Sequence, residues 1–398
     1  MRALLLENVH DDAAFALRDA GFEVERVDHA LGEDELVAAV KGVHVLGLRS
    51  NTSLTQRALD GADELLAVGA FCIGTNQIDL PATLDRGVAV FNAPFSNTRS
   101  VVELALSEVI ALTRRLTDKN ADMHAGVWDK SAVGSHEVRG RKLGIVGYGN
   151  IGSQLSVLAE ALGMRVLFFD TADRLSLGNA RRCGTLDELL AESDVVTLHV
   201  DGRSSNSGIF GEEQFARMRR GSIFLNLSRG FVVDHQALRS HIENGHIVGA
   251  AVDVFPVEPK AKGEEFVSVL RGLPNVILTP HVGGSTEEAQ QDIGYFVAGK
   301  LRDYVADGNT SLSVNLPPVT LPREPGQTRL LLLHLNTPGV LATVNGLLAE
   351  HGVNIDGQLL STRGTLGYVV TDIGAEPTSD VVAALQALPE TVRLRVLR

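Results

Sequence analysis

Lys142-Leu143-Gly144-Ile145-Val146-Gly147-Tyr148-Gly149-Asn150-Ile151-Gly152 is the stretch that decides the fold. An apolar run suited to a buried strand passes at once into a glycine-rich turn that opens a helix-like segment. Gly147 permits the tight turn, Gly149 lets the backbone approach a phosphate, and Gly152 allows close helix–strand packing. The first turn of such a helix offers unpaired N–H groups and a positive dipole end to a pyrophosphate. A glycine fingerprint alone is a weak signal. Here the next apolar run, Val166-Leu167-Phe168-Phe169, closes on Asp170, near the spacing of about 20 residues at which an acid meets the ribose hydroxyls. An acid at that place repels a 2′-phosphate, so the reading is NAD and not NADP.

Outward from this loop, strand-like runs alternate with helical patterns. Before it lie Arg2–Leu6, Glu23–Val27, Val43–Leu48, Leu65–Val68 and Val88–Phe91, with amphipathic stretches such as Asp12–Ala20 and Glu33–Lys41 between them. After it come Val195–His199, Ser222–Leu227, Val248–Val252 and Val276–Leu278, separated by helix candidates Asp187–Glu192 and Asp234–Asn244. Such alternation implies parallel sheets covered by helices. Thr98–Asp118 reads as one long helix crossing from the first α/β unit to the second, and Ser285–Asp307 as the helix running back. The fold class expected is therefore α/β, with two Rossmann-like doubly wound parallel-sheet domains. The first is residues 1–97 completed by about 286–315, the second is residues 98–285, and the site is expected in the cleft between the lobes.

Leu316–Gly326 contains four prolines and reads as a semi-rigid linker over about 316–327. Residues 328–398 then show a β-α-β-β-α-β pattern, a C-terminal ferredoxin-like module with no catalytic constellation. Regulation or assembly is the expectation there.

Three further motifs offer reacting groups. Arg229, in Asn226-Leu227-Ser228-Arg229-Gly230, follows a strand, where ligands of α/β sheets bind, and a guanidinium can grip a carboxylate bidentately. Glu258 lies in Asp253-Val254-Phe255-Pro256-Val257-Glu258-Pro259, and His281 follows Thr279-Pro280. A carboxylate beside an imidazole raises its pKa and fixes the ring, which can then take a hydroxyl proton as hydride leaves carbon. Val282-Gly283-Gly284 would let the backbone come near a ligand. The other histidines, such as His199, lack comparable company and read as strand-end or surface residues. Arg49-Ser50-Asn51 follows a strand and suits an anion cradle; for it, for Gly74-Thr75-Asn76 and for Asn92-Ala93-Pro94, a structural turn is an equal alternative.

The chain has 398 residues, enough for two or three domains, and 44% hydrophobic residues against 5% aromatic suit an Ala/Val/Leu-rich α/β core. A net charge of −13 speaks against non-specific nucleic-acid binding, and an anionic substrate would need a local cationic site. Cys72 and Cys183 match no disulfide or metal spacing, so no metal is expected. No apolar stretch reaches the about 18 residues of a membrane span, and the expected compartment is the cytoplasm.

These residues together resemble the D-isomer-specific 2-hydroxyacid dehydrogenases, in the form that carries one ACT domain directly after the catalytic body and acts on 3-phosphoglycerate. The likeness runs from Gly47-Leu48-Arg49-Ser50 through Phe71-Cys72-Ile73-Gly74-Thr75-Asn76 and Phe91–Ser100, then through the four site motifs, to Tyr368-Val369-Val370. It implies oxidation of 3-phosphoglycerate to 3-phosphohydroxypyruvate with NAD, the entry to serine synthesis. It casts Arg229 as carboxylate binder, His281 as acid/base and Glu258 as its partner. It also implies that Asn150, Ile151, Asp170, Leu227, Ser228, Asp253 and the run His281, Val282, Gly283, Gly284 touch NAD. Arg49, Ser50, Gly74 and Asn97 would lie near the substrate. His334, Asn336 and Asn354 match positions at which ACT modules bind L-serine, which implies feedback inhibition in a homo-oligomer, a tetramer. Two departures stand out. Asn51 replaces a second Arg common in relatives, for which Arg49 alone or Lys130 would have to compensate, and Leu335 replaces a polar residue. Reduction of another 2-oxo acid, such as 2-oxoglutarate, and an NAD-sensing scaffold are the alternatives.

Overall fold

Runs of small and β-branched residues form the strands, and the amphipathic stretches between them form the helices. The computed structural model describes residues 1–259, 263–324 and 326–398; they divide into one unit of residues 1–96 with 290–398 and another of residues 97–289.

The first unit holds a parallel sheet of β1 (Arg2–Leu5), β2 (Glu23–Arg26), β3 (Val45–Leu48), β4 (Ala67–Ala70) and β5 (Ala89–Asn92), in the order β2-β1-β3-β4-β5. All four residues of β3 and of β4 are buried, as expected of strands covered on both faces. Strand order reverses between β1 and β3, so a crevice opens beyond their carboxyl ends. The helix Glu287–Asp307 sends Ile293, Val297, Ala298 and Leu301 into the core with Ala3 and Leu5. A Cβ on Gly69 would fall 2.6 Å from Val297 Cγ1, so glycine there lets this helix close on the sheet.

The second unit holds β6 (Lys142–Val146), β7 (Arg165–Phe169), β8 (Arg181–Arg182), β9 (Val195–Leu198), β10 (Ser222–Asn226), β11 (Ile247–Val252) and β12 (Val276–Leu278), all parallel in the order β12-β11-β10-β9-β6-β7-β8. The reversal falls between β6 and β9, where the glycine loop leaves the sheet. The helix expected over Thr98–Asp118 is not continuous. It ends at Thr113, Arg115 takes a left-handed φ of 51°, and a second helix runs Leu116–His124. Nothing in the local pattern marks this break, since a charged pair, Arg114-Arg115, is common in helices.

The C-terminal module is an antiparallel sheet of β13 (Thr328–Leu335), β14 (Ile355–Arg363), β15 (Leu366–Ile373) and β16 (Thr391–Leu397), ordered β14-β15-β13-β16, with helices Val340–Glu350 and Ser379–Gln386. The fold class is thus the one anticipated. Leu330 and Leu332 of β13 pack under those helices, whereas Leu331 and Leu333 join the core of the first sheet beside Phe91, Leu301 and Tyr304. Arg393 donates to the Leu65 carbonyl at 2.7 Å and Arg395 to that of Val305 at 2.8 Å. The proline-rich stretch is correspondingly docked rather than spanning solvent: Leu316 and Val319 are buried, and the Val319 N–H donates to Thr310 Oγ1 at 2.8 Å. Pro325, the fourth proline, lies outside the described residues. Arg329 and Asp372 form a buried pair at 2.6 Å, and Arg329 also donates to the carbonyls of Asp307 and Leu321.

Candidate active site

The glycine loop has the geometry its sequence suggested. Gly147 has φ 92°, and a Cβ there would meet the His199 carbonyl oxygen at 2.4 Å. A Cβ on Gly152 would meet the Gly147 carbonyl oxygen at 2.2 Å, whereas one on Gly149 would face open space. Gly149 caps the helix Asn150–Ala161 with no side chain, so first-turn N–H groups stay available to an anion. Asp170 follows β7 and accepts from the N–H of Tyr148 and of Ala172, each at 2.8 Å. It lines a cleft of about 590 Å³ with Phe169, Thr171, Arg182, Cys183 and Gly184. An open glycine, an uncapped helix and an acid at the cleft are what a dinucleotide requires, so these residues fit NAD.

Arg229, Glu258 and His281 follow β10, β11 and β12, three neighbouring strands, and so gather at one edge of the same sheet. His281 Nδ1 lies 2.9 Å from Glu258 Oε2, and both side chains are partly exposed. The hydrogen bond to Glu258 raises the His281 pKa above its ordinary value, against the opposing effect of burial. For Glu258, burial pushes upward, but hydrogen bonds from His281 and the Phe255 N–H, with the nearby Arg229 charge, hold the pKa below the usual range. The Arg229 Nη1 donates to the Ser228 carbonyl at 2.7 Å, and the guanidinium forms no ion pair among the described residues.

Asp253 builds the loop that presents the imidazole. Its carboxylate, 1% exposed, accepts from Thr279 Oγ1 at 2.6 Å and from the N–H groups of Val282 and Gly283, both at 2.8 Å. His281 sits between these anchors with a left-handed φ of 54°, a conformation a non-glycine residue holds only when its surroundings impose it. A Cβ on Gly284 would strike Asn97 Nδ2 at 2.0 Å, so Asn97 packs on this loop. Ser228 accompanies it: its N–H and hydroxyl both donate to the buried Asn226 Oδ1, at 3.1 and 2.8 Å.

Two acids escaped the sequence reading. Glu108, on the helix Thr98–Thr113, is 3% exposed, and neither carboxyl oxygen has a hydrogen-bond partner. Burial, helped by the Asp253 charge, pushes its pKa to about 8. The signal was available: Val101, Ala105, Glu108 and Leu112 share one apolar face, and an acid at such spacing is out of place. Glu7 is the other, in the first unit with Arg49, Ser50 and Gly74. Its carboxylate binds the backbone of the Arg49–Thr52 loop. His199 follows β9 directly, and desolvation of its half-buried ring lowers its pKa to about 4.

One chain does not bring the three ACT residues together. His334 and Asn336 lie at the carboxyl end of β13, whereas Asn354 precedes β14, whose first residue pairs with Ile373 and so with the Thr328 end. At about 3.3 Å per residue the two groups stand roughly 20 Å apart. His334 is buried with Nε2 unpartnered, and Asn336 donates to the Gly364 carbonyl at 3.3 Å.

Known proteins bear directly on this arrangement. The family model "D-isomer specific 2-hydroxyacid dehydrogenase, NAD binding domain" matches residues 106–283, and that of an AHAS small subunit-like ACT domain matches residues 330–393. A D-3-phosphoglycerate dehydrogenase of Haemophilus influenzae is 50% identical over 100% of this chain and 97% of its own. One from Escherichia coli K12 is 48% identical over 100% and 97%. The solved structure of D-2-hydroxyisocaproate dehydrogenase is similar with a TM-score of 0.72 at 26% identity, covering 79% of this chain and 100% of its own. Among the described residues no helix is long and apolar enough to cross a membrane.

Proposed function

The chain belongs to the D-3-phosphoglycerate dehydrogenases of the D-isomer-specific 2-hydroxyacid dehydrogenase family and works as an NAD-dependent dehydrogenase, and from that premise we propose that it oxidises 3-phospho-D-glycerate to 3-phosphohydroxypyruvate, the opening step of L-serine synthesis. The observation that supports this most is the 2.9 Å bond between His281 Nδ1 and Glu258 Oε2, with the guanidinium of Arg229, which has no ion pair among the described residues, close enough to influence both pKa values.

NAD, when bound, accepts the hydride from C2. With Nδ1 engaged by Glu258, His281 takes the hydroxyl proton at Nε2 as C2 becomes a carbonyl, and returns it in the reverse direction. Glu258 stabilises the imidazolium and fixes the ring plane. Arg229 grips the substrate carboxylate through two parallel N–H donors. Gly147, Gly149, Asn150, Ile151 and Gly152 hold the pyrophosphate and Asp170 the ribose, while Leu227, Ser228, Asp253, Val282, Gly283 and Gly284 shape the nicotinamide end. Arg49, Ser50, Gly74 and Asn97 contact the substrate, with Arg49 on its phosphate. In this scheme residues 1–97 with about 286–315 bind substrate, 98–285 bind NAD, and 328–398 regulate.

NADH oxidation with 3-phosphohydroxypyruvate tests the reading: wild type should turn over, and His281→Ala should lose about 10²–10⁴-fold in kcat. Asn51, a neutral residue beside Arg49, favours a second reading, a 2-oxo acid without phosphate. A higher kcat/KM for 2-oxoglutarate than for phosphohydroxypyruvate would select it.

The module's role is feedback inhibition by L-serine through His334, Asn336 and Asn354, in a cytoplasmic homotetramer. Their separation at opposite ends of one sheet supports a site completed by a second chain, and the free edge of β14 is a template for such pairing. Inhibition by millimolar serine, relieved in Asn336→Ala, is the expected result; activity indifferent to serine removes the claim.

A further inference from the structure

The loop Arg49–Thr52 begins where β3 ends, at the reversal of strand order in the first sheet. Its N–H groups would make an anion nest if they were free. Three of the four, those of Arg49, Asn51 and Thr52, are already taken. Glu7 Oε1 accepts from the N–H of Arg49 at 3.1 Å and of Thr52 at 2.8 Å, and Oε2 accepts from the N–H of Asn51 at 3.0 Å. The carboxylate belongs to a residue that is 7% exposed and lies two positions beyond the end of β1, the strand paired with β3.

The backbone bends to allow this. Glu7 has φ 61° and Asn8 φ 51°, two successive non-glycine residues in the left-handed region. Asn tolerates that region, whereas Glu has no local reason to enter it. Strain of this kind persists only where the surroundings over-determine it, and three N–H donors converging on one carboxylate do so. The loop is also tied from its carbonyl side. Gln77 Nε2 donates to the Arg49 carbonyl at 2.6 Å and to the Gly74 carbonyl at 3.4 Å. Thus the loops after β3 and β4 are joined into one piece, while the Arg49 guanidinium forms no ion pair among the described residues.

We propose that Glu7 is a positioning residue that sets substrate specificity: by accepting from the N–H groups of Arg49, Asn51 and Thr52 it fixes the backbone from which the Arg49 guanidinium projects as the group that selects a phosphorylated hydroxy acid. This rests on the reading of Arg49 as the phosphate contact. It accounts for how one cation can serve at a position where Asn51 supplies none, since a pre-placed guanidinium loses less freedom on binding than a mobile one.

The test compares Glu7→Gln with Arg49→Ala, using 3-phosphohydroxypyruvate and hydroxypyruvate, the same oxo acid without its phosphate. Gln keeps the shape but turns an NH2 toward at least one N–H, so one or more charge-assisted bonds are lost. The expected result for Glu7→Gln is a KM for phosphohydroxypyruvate raised about tenfold, with kcat, KM for hydroxypyruvate and NADH affinity unchanged. Arg49→Ala should raise the same KM further. If Arg49→Ala raises it and folded Glu7→Gln does not, the role of Glu7 is overturned and the substrate reading stands. If Arg49→Ala leaves that KM unchanged, the phosphate reading itself fails, and the role of Glu7 with it. A uniform fall in kcat on both substrates would assign Glu7 a merely structural role and also overturn the proposal. Should Glu7→Gln not fold, Gln77→Met decides: it loosens the same loop from the carbonyl side, and an unchanged KM for phosphohydroxypyruvate refutes the idea.

Discussion

Replacing Glu108 by Gln is expected to stabilise the protein, by an amount that grows with pH. Burial first, and the Asp253 charge second, carry the Glu108 pKa from 4.5 to about 8. The folded-state value lies above the unfolded one, so folding takes up a proton between them. The favourable protonated state is complete below about pH 4.5, and stability falls as pH climbs toward 8. At 1.36 kcal/mol per pKa unit, the ionised carboxylate costs roughly 5 kcal/mol in full, roughly 4 at pH 8 and about 1 at pH 5. Gln removes the titration and keeps the shape. The stability gap between variant and wild type should therefore widen by roughly 3 kcal/mol from pH 5 to pH 8. For a unit of this size that is about 6–12 °C in Tm. Circular-dichroism melts of both proteins at pH 5, 6, 7 and 8 measure it. Parallel Tm curves across that range, or a variant less stable than wild type at pH 8, would refute the reasoning: Glu108 would then have a partner or solvent path that satisfies its charge.

Glu258→Gln removes the carboxylate that raises the His281 pKa. Oxidation needs neutral His281, so its pH–rate profile should rise at lower pH than in wild type while the plateau drops about 10–100-fold; an unmoved midpoint contradicts the pairing. Asp372→Asn strands the Arg329 guanidinium, whose side chain is 1% exposed, and should cost about 3–5 kcal/mol in urea denaturation. A loss below about 1 kcal/mol would mean the carbonyls of Asp307 and Leu321 suffice for the cation. Asp170→Ala takes away the acid facing the cleft and leaves Arg182 there and Arg174 nearby. The NADPH/NADH ratio of kcat/KM should rise at least about tenfold, and an unchanged ratio would place discrimination elsewhere.

The sequence carried the architecture because its cues are local. A glycine loop, an acid ending the next strand, and apolar runs at strand spacing each speak without reference to distant residues. The Glu258–His281 pair was legible for a chemical reason, since one acid and one imidazole lay in restricted loops after successive strands. Asp253 was named as a cofactor contact, but its three bonds to Thr279, Val282 and Gly283 depend on the spacing of β11 and β12, which no local pattern encodes. The left-handed backbone at His281 was equally hidden, because it follows from those bonds. Glu7 stands just past the first strand-like run with no local mark of its role, and only the pairing of β1 with β3 shows what it holds. Leu330–Leu333 did carry a missed signal. An antiparallel strand with one wet face alternates, and a run of four leucines states that both faces are dry.

That dry underside makes the last 71 or so residues inseparable from the rest, as the burial of Leu331, Leu333, Tyr368 and Val370 against Phe91 and Tyr304 shows. A chain cut after residue 315 would be no lean catalytic version but an unroofed one, with aromatic rings turned out to water and prone to clumping. Anyone transplanting a foreign sensor onto this body would have to match its lower surface as carefully as its ligand pocket.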